Sequence, residues 1–211
     1  MILSTSGSIA QSIEVVELLG VLAFAFTGII EARKKGMDLF GVYTVSMIAA
    51  FGGGTIRDLL IGNYPLYWIT HSSFALMLLG FALASSLLGV AFYENKQVNN
   101  AFEVLDTLGL GLFSTAGANI AQQAGCDFYI SLLLGVATAV FGGVLRDIVC
   151  NEIPRVFRRN ELYATCAFVG SLVFLVSLQF GLNTLAAMLI GALATVLLRL
   201  FSVKYNIKLP F

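Results

Sequence analysis

Two short segments concentrate the residues able to do chemistry, Phe51-Gly-Gly-Gly-Thr-Ile-Arg-Asp58 and Phe141-Gly-Gly-Val-Leu-Arg-Asp147, each inside an otherwise continuous apolar run. Adjacent glycines weaken a helix by about 1 kcal/mol apiece relative to Ala and let the backbone leave helical geometry. A break there frees carbonyl oxygens, which hydrocarbon tolerates only where they face protein or a water-filled cavity. Carbonyls at the end of a half-helix carry partial negative charge, which suits a cation. A backbone cation site is therefore expected near Gly53 and Gly142, with Gly52, Gly54 and Gly143 as the remaining flexible positions. Thr55 and Asp58 have the spacing of a capping box, so a fresh half-helix is expected after the first glycine run. Val144 occupies that place in the second segment, which predicts a kink instead of a full interruption. The competing reading is close packing, because Ser46, Ala50 and Gly54, like Gly135, Ala139 and Gly143, recur every four residues and small residues at that spacing let helices approach. The presence of two copies, each followed by Arg-Asp, favours the break.

The elements that carry these segments are dictated by composition. Apolar residues make up 58% of the 211 and charged residues 11%, in runs too long for a water-soluble core of this size. A helix needs roughly 20 apolar residues to cross the hydrocarbon, and such stretches fall at 13–30, 39–61, 66–93, 102–121, 128–150, 162–179 and 182–201. The expected fold is an all-α membrane protein of seven transmembrane helices in a single domain, 1–211. Arg33, Lys34 and Lys35, then Lys96, then Arg155, Arg158 and Arg159, then Arg199, Lys204 and Lys208 lie in alternate connections or at the end, whereas 62–65, 122–127 and 181 contain no Lys or Arg. That alternation places the N-terminus outside and the C-terminus in the cytoplasm of a cell (inner) membrane protein. The cluster from Arg155 to Arg159 also suits anionic lipid head groups. His71, the only histidine, reads as an interfacial residue near the end of the third stretch.

The chain also repeats itself. A shift of 89 positions carries Arg57 onto Arg146 and, without a gap, Glu14 onto Glu103, Gly20 onto Gly109, Phe24 onto Phe113, Gly28 onto Gly117, Gly36 onto Gly125, Asp38 onto Asp127, Gly53 and Gly54 onto Gly142 and Gly143, Asp58 onto Asp147 and Pro65 onto Pro154. Each repeat, about 13–93 and about 102–180, holds three spans, so the second runs through the membrane upside down. An extra helix, about 182–201, has no counterpart and is expected at the periphery. Inverted repeats place their solute site near the midplane where they meet. A charge inside a span costs at least roughly 2.5 kcal/mol unless it is paired or hydrated, so Arg57 is expected to pair with Glu17, and Arg146 with Asp106. Snorkelling of Arg57 to the nearby interface is the alternative.

Zero net charge gives no reason to expect a nucleic-acid partner. The three cysteines, Cys126, Cys150 and Cys166, have neither a paired framework nor metal-ligand spacing. No grouping of His, Cys, Asp or Glu points to hydrolysis, redox chemistry or a cofactor, so an enzyme is not expected.

The segment Glu31-Ala-Arg-Lys-Lys-Gly-Met-Asp-Leu-Phe-Gly41, the glycine and Arg-Asp motifs ending at Asp58 and Asp147, and the prolines Pro65 and Pro154 resemble the bacterial membrane family labelled glycine transporter, which is similar in fold to the TRIC trimeric intracellular cation channels. The resemblance covers nearly the whole chain. It implies a homotrimer with a pore through each protomer, lined by the second and fifth spans kinked at the glycines. It also implies passage of monovalent cations, chiefly potassium. Gly52, Gly53, Gly54, Gly142 and Gly143 are then the kink positions, and Arg57, Asp58, Arg146 and Asp147 the adjoining polar residues. A secondary transporter of glycine or another small zwitterion is the alternative, and an assembly factor of the membrane a third reading.

Overall fold

The computed structural model describes residues 3–88, 90–158, 162–205 and 207, with side chains from residue 13 onward. Arg159 and Lys208 of the basic connections lie outside the described residues. The elements are α1 (Leu3–Lys34), α2 (Leu39–Ile61), α3 (Tyr67–Thr70), α4 (Ser72–Ser85), α5 (Val90–Tyr93), α6 (Lys96–Gln123), α7 (Phe128–Val149), α8 (Tyr163–Gln179) and α9 (Thr184–Tyr205), with a 3-10 turn at Arg155–Phe157. The protein is an all-helical membrane protein. Five helices are long and apolar enough to cross a bilayer, and two apolar helices, Ser72–Ser85 and Tyr163–Gln179, are shorter.

Local chemistry sets the helix ends in the same way in both repeats. Asp38 caps α2 by accepting from the Gly41 amide at 2.8 Å, and Asp127 caps α7 by accepting from the Ile130 amide at 2.8 Å. The residues before them, Gly36 and Gly125, have positive φ of 68° and 85°, the left-handed turn that ends a helix and that glycine enters without a Cβ penalty. Helices α2 and α7 end on equivalent left-handed residues as well, Gly62 and Asn151.

One expected element is corrected. The stretch 66–93 does not form one long helix but is divided into α3, α4 and α5. Long-range polar contacts hold the division in place: Arg33 donates to Ser85 Oγ at 2.9 Å and to the Ala82 carbonyl at 3.3 Å, and Tyr93 donates to the Ser85 carbonyl at 2.8 Å.

The two repeats pack by exchange. An added Cβ at Gly20 would meet the Phe113 ring at 2.7 Å, and one at Gly109 would meet the Phe24 ring at 3.1 Å. Each member of the first pair is the 89-position equivalent of a member of the second. The two rings meet with centroids 5.4 Å apart. Such reciprocal contact is the mark of a two-fold relation. Because earlier residues of α1 meet later residues of α6, these helices run antiparallel, and the repeat is inverted. Helix α9 has a lipid-type outer face, with Leu189, Leu193 and Leu197 exposed, yet Arg199 is fully buried. The reading of Arg199 as one of the basic residues at the chain end is thus corrected, since its side chain turns into the protein. Gly170 and Gly191 bring α8 and α9 into backbone contact, and Gly111 seats against the Ala192 carbonyl of α9.

Candidate functional site

The centre of the molecule is the crossing of α2 and α7. A Cβ on Gly53 would fall 2.0 Å from the Thr138 carbonyl oxygen, and one on Gly142 would fall 2.4 Å from the Ala49 carbonyl oxygen. Ala49 is the repeat equivalent of Thr138, so this contact is again an exchange about the two-fold. It pairs later residues of α2 with earlier residues of α7, so the helices are antiparallel and the two Arg-Asp pairs stand at opposite ends of the crossing. Both helices run unbroken through their glycines, and the expected interruption is corrected. Thr55 sits in mid-helix and starts no half-helix. The carbonyl cation site expected near Gly53 and Gly142 loses its basis, because no half-helix ends there. The physical reason is the company the glycines keep: each is filled by a carbonyl of the facing helix, and a helix that stays intact leaves no backbone group unsatisfied in hydrocarbon. Gly52 faces Leu145 Cδ1 at 2.9 Å and Gly143 sits tightly against the Tyr163 hydroxyl at 3.2 Å, whereas Gly54 has room, its nearest atom being 3.6 Å away.

At one end of the crossing Arg146 is held by three partners. Its Nη1 donates to Asp106 Oδ1 at 2.9 Å and to Thr27 Oγ1 at 2.7 Å, and its Nε donates to Asp147 Oδ1 at 2.9 Å. Thr27 can accept because its own hydroxyl donates to the Phe24 carbonyl at 2.7 Å. Arg146 and Asp106 are both fully buried. A second layer encloses them: the Arg155 amide donates to Asp147 Oδ2 at 3.1 Å, Arg155 Nη1 donates to Glu103 Oε2 at 2.7 Å, and the Phe102 ring lies under both Arg146 and Arg155 at 4.8 and 4.4 Å. Arg199 of α9 lies over the Tyr163 ring at 4.4 Å. Beyond this cluster, Lys35 is bonded to Glu152 and Arg158 donates to Glu152 Oε2 at 3.3 Å. That hydrogen bond and the ammonium charge hold the Glu152 carboxyl below the usual carboxylate range, while the same bond raises Lys35.

The opposite end is looser. Arg57 is held by its own neighbour, with Nε and Nη2 at 2.9 and 2.8 Å from Asp58 Oδ1, and Asn63 Nδ2 donates to the same oxygen at 3.2 Å. Glu17, the repeat equivalent of Asp106, makes no hydrogen bond or ion pair with Arg57 among the described residues; instead the two side chains line one small cavity. Ala116 stands where Thr27 stands in the other half, so no hydroxyl completes the shell. His71 stacks on Tyr67 at 4.3 Å, near this end.

Polar space lies on both sides of the crossing. At the Arg57 end a cavity of about 380 Å³ is walled by Arg57, Asp58, Asn63, Tyr67, Thr70 and Gln123. A water-sized cavity of about 30 Å³ shares Arg57, Asp58 and Tyr67 with it and reaches Glu17, Gly54, Thr55 and Thr138 at the crossing. At the Arg146 end a cavity of about 210 Å³ is walled by Glu31, Lys34, Phe102, Asp147, Glu152, Arg155 and Arg158. Sequence reasoning missed Thr27, Phe102, Tyr163 and the inward roles of Arg155 and Arg199. Their signal lay in departures from the repeat, such as Thr27 against Ala116 and Tyr163 against Phe74.

The fold and the paired Arg-Asp sites define a TRIC-like helical membrane protein. The solved TRIC trimeric intracellular cation channel orthologue from Rhodobacter sphaeroides superposes with a TM-score of 0.85 at 33% identity, over 92% of this chain and 98% of that one. A second solved structure, from work on conductance through TRIC cation channels, gives 0.83 at 33% identity, over 94% and 96%. The sequence profile described as glycine transporter matches twice, at residues 14–92 and 103–179, and the chain belongs to that family. Relatives include the UPF0126 inner membrane protein YadS of Escherichia coli, 32% identical over 92% of this chain and 93% of its own length. A UPF0126 membrane protein of Deinococcus radiodurans is 36% identical over 99% and 95%.

Proposed function

We propose that the protein is a monovalent cation channel, potassium-preferring and homotrimeric, with a passage through each protomer between α2 and α7. The observation that carries the reading is a polar cavity at each end of the α2–α7 crossing, with a contact of two glycines and two carbonyls at the crossing itself. A seal made of backbone and glycine has no side chain to swing aside, so a small separation of two helices suffices to join the cavities. The solved neighbours named as TRIC cation channels support the same reading. In this reading seven segments cross the bilayer, the shorter α4 and α8 among them, the Arg57 end faces outward, and the chain ends in the cytoplasm. Gly52, Gly53, Gly54, Gly142 and Gly143 form the seal and its flanks. Arg57, Asp58, Thr55 and Glu17 line the outer approach, and Arg146, Asp147 and Asp106 brace the inner one.

Purified protein in a planar bilayer between unequal KCl solutions tests the reading. The expected reversal potential lies near that of potassium, and one near that of chloride, or no conductance, overturns it. The family description as glycine transporter favours a second reading, secondary transport of glycine, for which inverted repeats are also suited. Saturable glycine counterflow in liposomes, without ionic conductance, would decide for it.

A further inference from the structure

The two halves of the passage share their Gly and Arg-Asp framework but not the use they make of their carboxylates. Asp106 is consumed by Arg146. Its equivalent Glu17 has no such use: Arg57 turns to Asp58 through two nitrogens, as Arg146 does to Asp147, but among the described residues Glu17 makes no hydrogen bond or ion pair of its own. Glu17 also stands in a decisive place. It lines the water-sized cavity whose walls include Gly54 and Thr138 at the crossing and which shares Arg57, Asp58 and Tyr67 with the larger vestibule. Across both cavities the described lining holds one cation, Arg57, and two carboxylates, Asp58 and Glu17. The Arg57–Asp58 pair cancels, and one negative charge remains at the entrance to the constriction. Around it stand Val21, Phe51, Trp68 and Phe113, an apolar wall that screens the charge poorly and strengthens its field on anything passing.

We propose that Glu17 sets the charge selectivity of the passage, its carboxylate recruiting a permeating monovalent cation from the outer vestibule and turning anions away. The inference rests on the channel reading above and adds the residue that decides the sign of the permeant ion. The role belongs to Glu17 and not to acidity in general, since Glu14, one turn earlier on α1, is exposed and lines neither cavity.

The test is the reversal potential of full-length protein in a KCl gradient, compared among wild type, Glu17→Gln and Glu14→Gln. Glu17→Gln is expected to lower the potassium-to-chloride permeability ratio roughly tenfold, the scale of one poorly screened charge near the ion, and Glu14→Gln to leave it within about twofold, as for a charge screened by solvent. A cation-selective wild type with an unchanged ratio in Glu17→Gln overturns the role of Glu17 and leaves the channel reading standing. Equal losses in both variants overturn it in favour of a diffuse surface charge. A wild type that conducts no cation overturns the channel reading itself. Should Glu17→Gln not fold, Glu17→Cys modified after folding, with wild type treated in parallel because it carries Cys126, Cys150 and Cys166, gives an independent answer. A sulfonate-bearing methanethiosulfonate is expected to raise cation selectivity and an ammonium-bearing one to lower it, and identical ratios with the two reagents overturn the proposal.

Discussion

Replacing Asp106 with Asn keeps the side chain's shape and removes its charge from a site where Arg146 is fully buried. Removing one partner of a buried ion pair costs about 3–5 kcal/mol, because the remaining charge is left without compensation. Arg146 keeps Asp147 at 2.8 Å and Thr27 at 2.7 Å, so the expected loss lies at the lower end, about 3 kcal/mol. The equivalent change in the other repeat, Glu17→Gln, breaks no bond and is expected to cost within about 0.5 kcal/mol. Thermal unfolding of the detergent-solubilised protein, followed by circular dichroism, reads the difference. At about 2–4 °C per kcal/mol for a chain of this length, Asp106→Asn should melt roughly 6–12 °C lower and Glu17→Gln within about 2 °C of wild type. A double-mutant cycle with Arg146→Gln should return a coupling of about 2 kcal/mol. Equal shifts for Asp106→Asn and Glu17→Gln would refute the claim that one half of the molecule is locked and the other is not.

Gly53→Ala and Gly142→Ala place a methyl 2.0 and 2.4 Å from facing carbonyls, and each should cost about 2–3 kcal/mol by overpacking; the two losses should be similar because the contacts are equivalent. Gly54→Ala meets nothing closer than 3.6 Å and should raise the melting temperature by up to about 1 kcal/mol of helix propensity. The Lys35–Glu152 bridge should carry a pH signature. Because the Glu152 carboxyl is depressed, its contribution is present above the ordinary carboxylate value and fades as pH falls through its lower folded value. Because Lys35 is raised, its contribution fades only in strong alkali, as pH rises through its folded value. Melting curves against pH should lose that acid-side component in Lys35→Met, and an unchanged profile there argues against the bridge.

Much of this arrangement was legible because the repeat holds Gly, Pro, Arg and Asp in register over most of the chain. The register together with three spans per repeat pointed to the inversion, and the cost of charge inside a span paired Asp106 with Arg146, which the structure bears out, and Glu17 with Arg57, which share a cavity without bonding. The glycines misled because a Gly-Gly step read along one chain weakens a helix, whereas the quantity that decides its fate is the facing backbone, which a single helix does not reveal. Arg57 bonding to Asp58 was hidden for a different reason. Neighbours at i and i+1 do not face each other on a helix, and only the length of the arginine stem lets its guanidinium turn back to the adjacent carboxylate. The third stretch is divided where Ser85 accepts from Arg33 of α1 and from Tyr93 eight residues on, and hydropathy sees neither contact. Arg199, close to the chain end, resembled a topology anchor until Tyr163 supplied an aromatic face deep in the fold.

The departures from symmetry carry more mechanism than the symmetry itself. A two-fold contact on its axis must pair a residue with its own equivalent or with a neighbour's, so the crossing is forced to use residues small enough to meet themselves, and Gly53 with Gly142 answers that demand. Strict symmetry would then make both approaches to the seal alike. Two substitutions break it around the arginines: Thr27 against Ala116 and Asp106 against Glu17 tighten the shell around Arg146 and leave Arg57 with Asp58 alone. The cost of moving charged groups is therefore concentrated at the Arg146 end, where Asp106 of α6 and Thr27 of α1 must be surrendered together. In the channel reading proposed above, separation of α2 from α7 would begin at the Arg57 end, whose water-sized cavity already reaches Gly54 and Thr138.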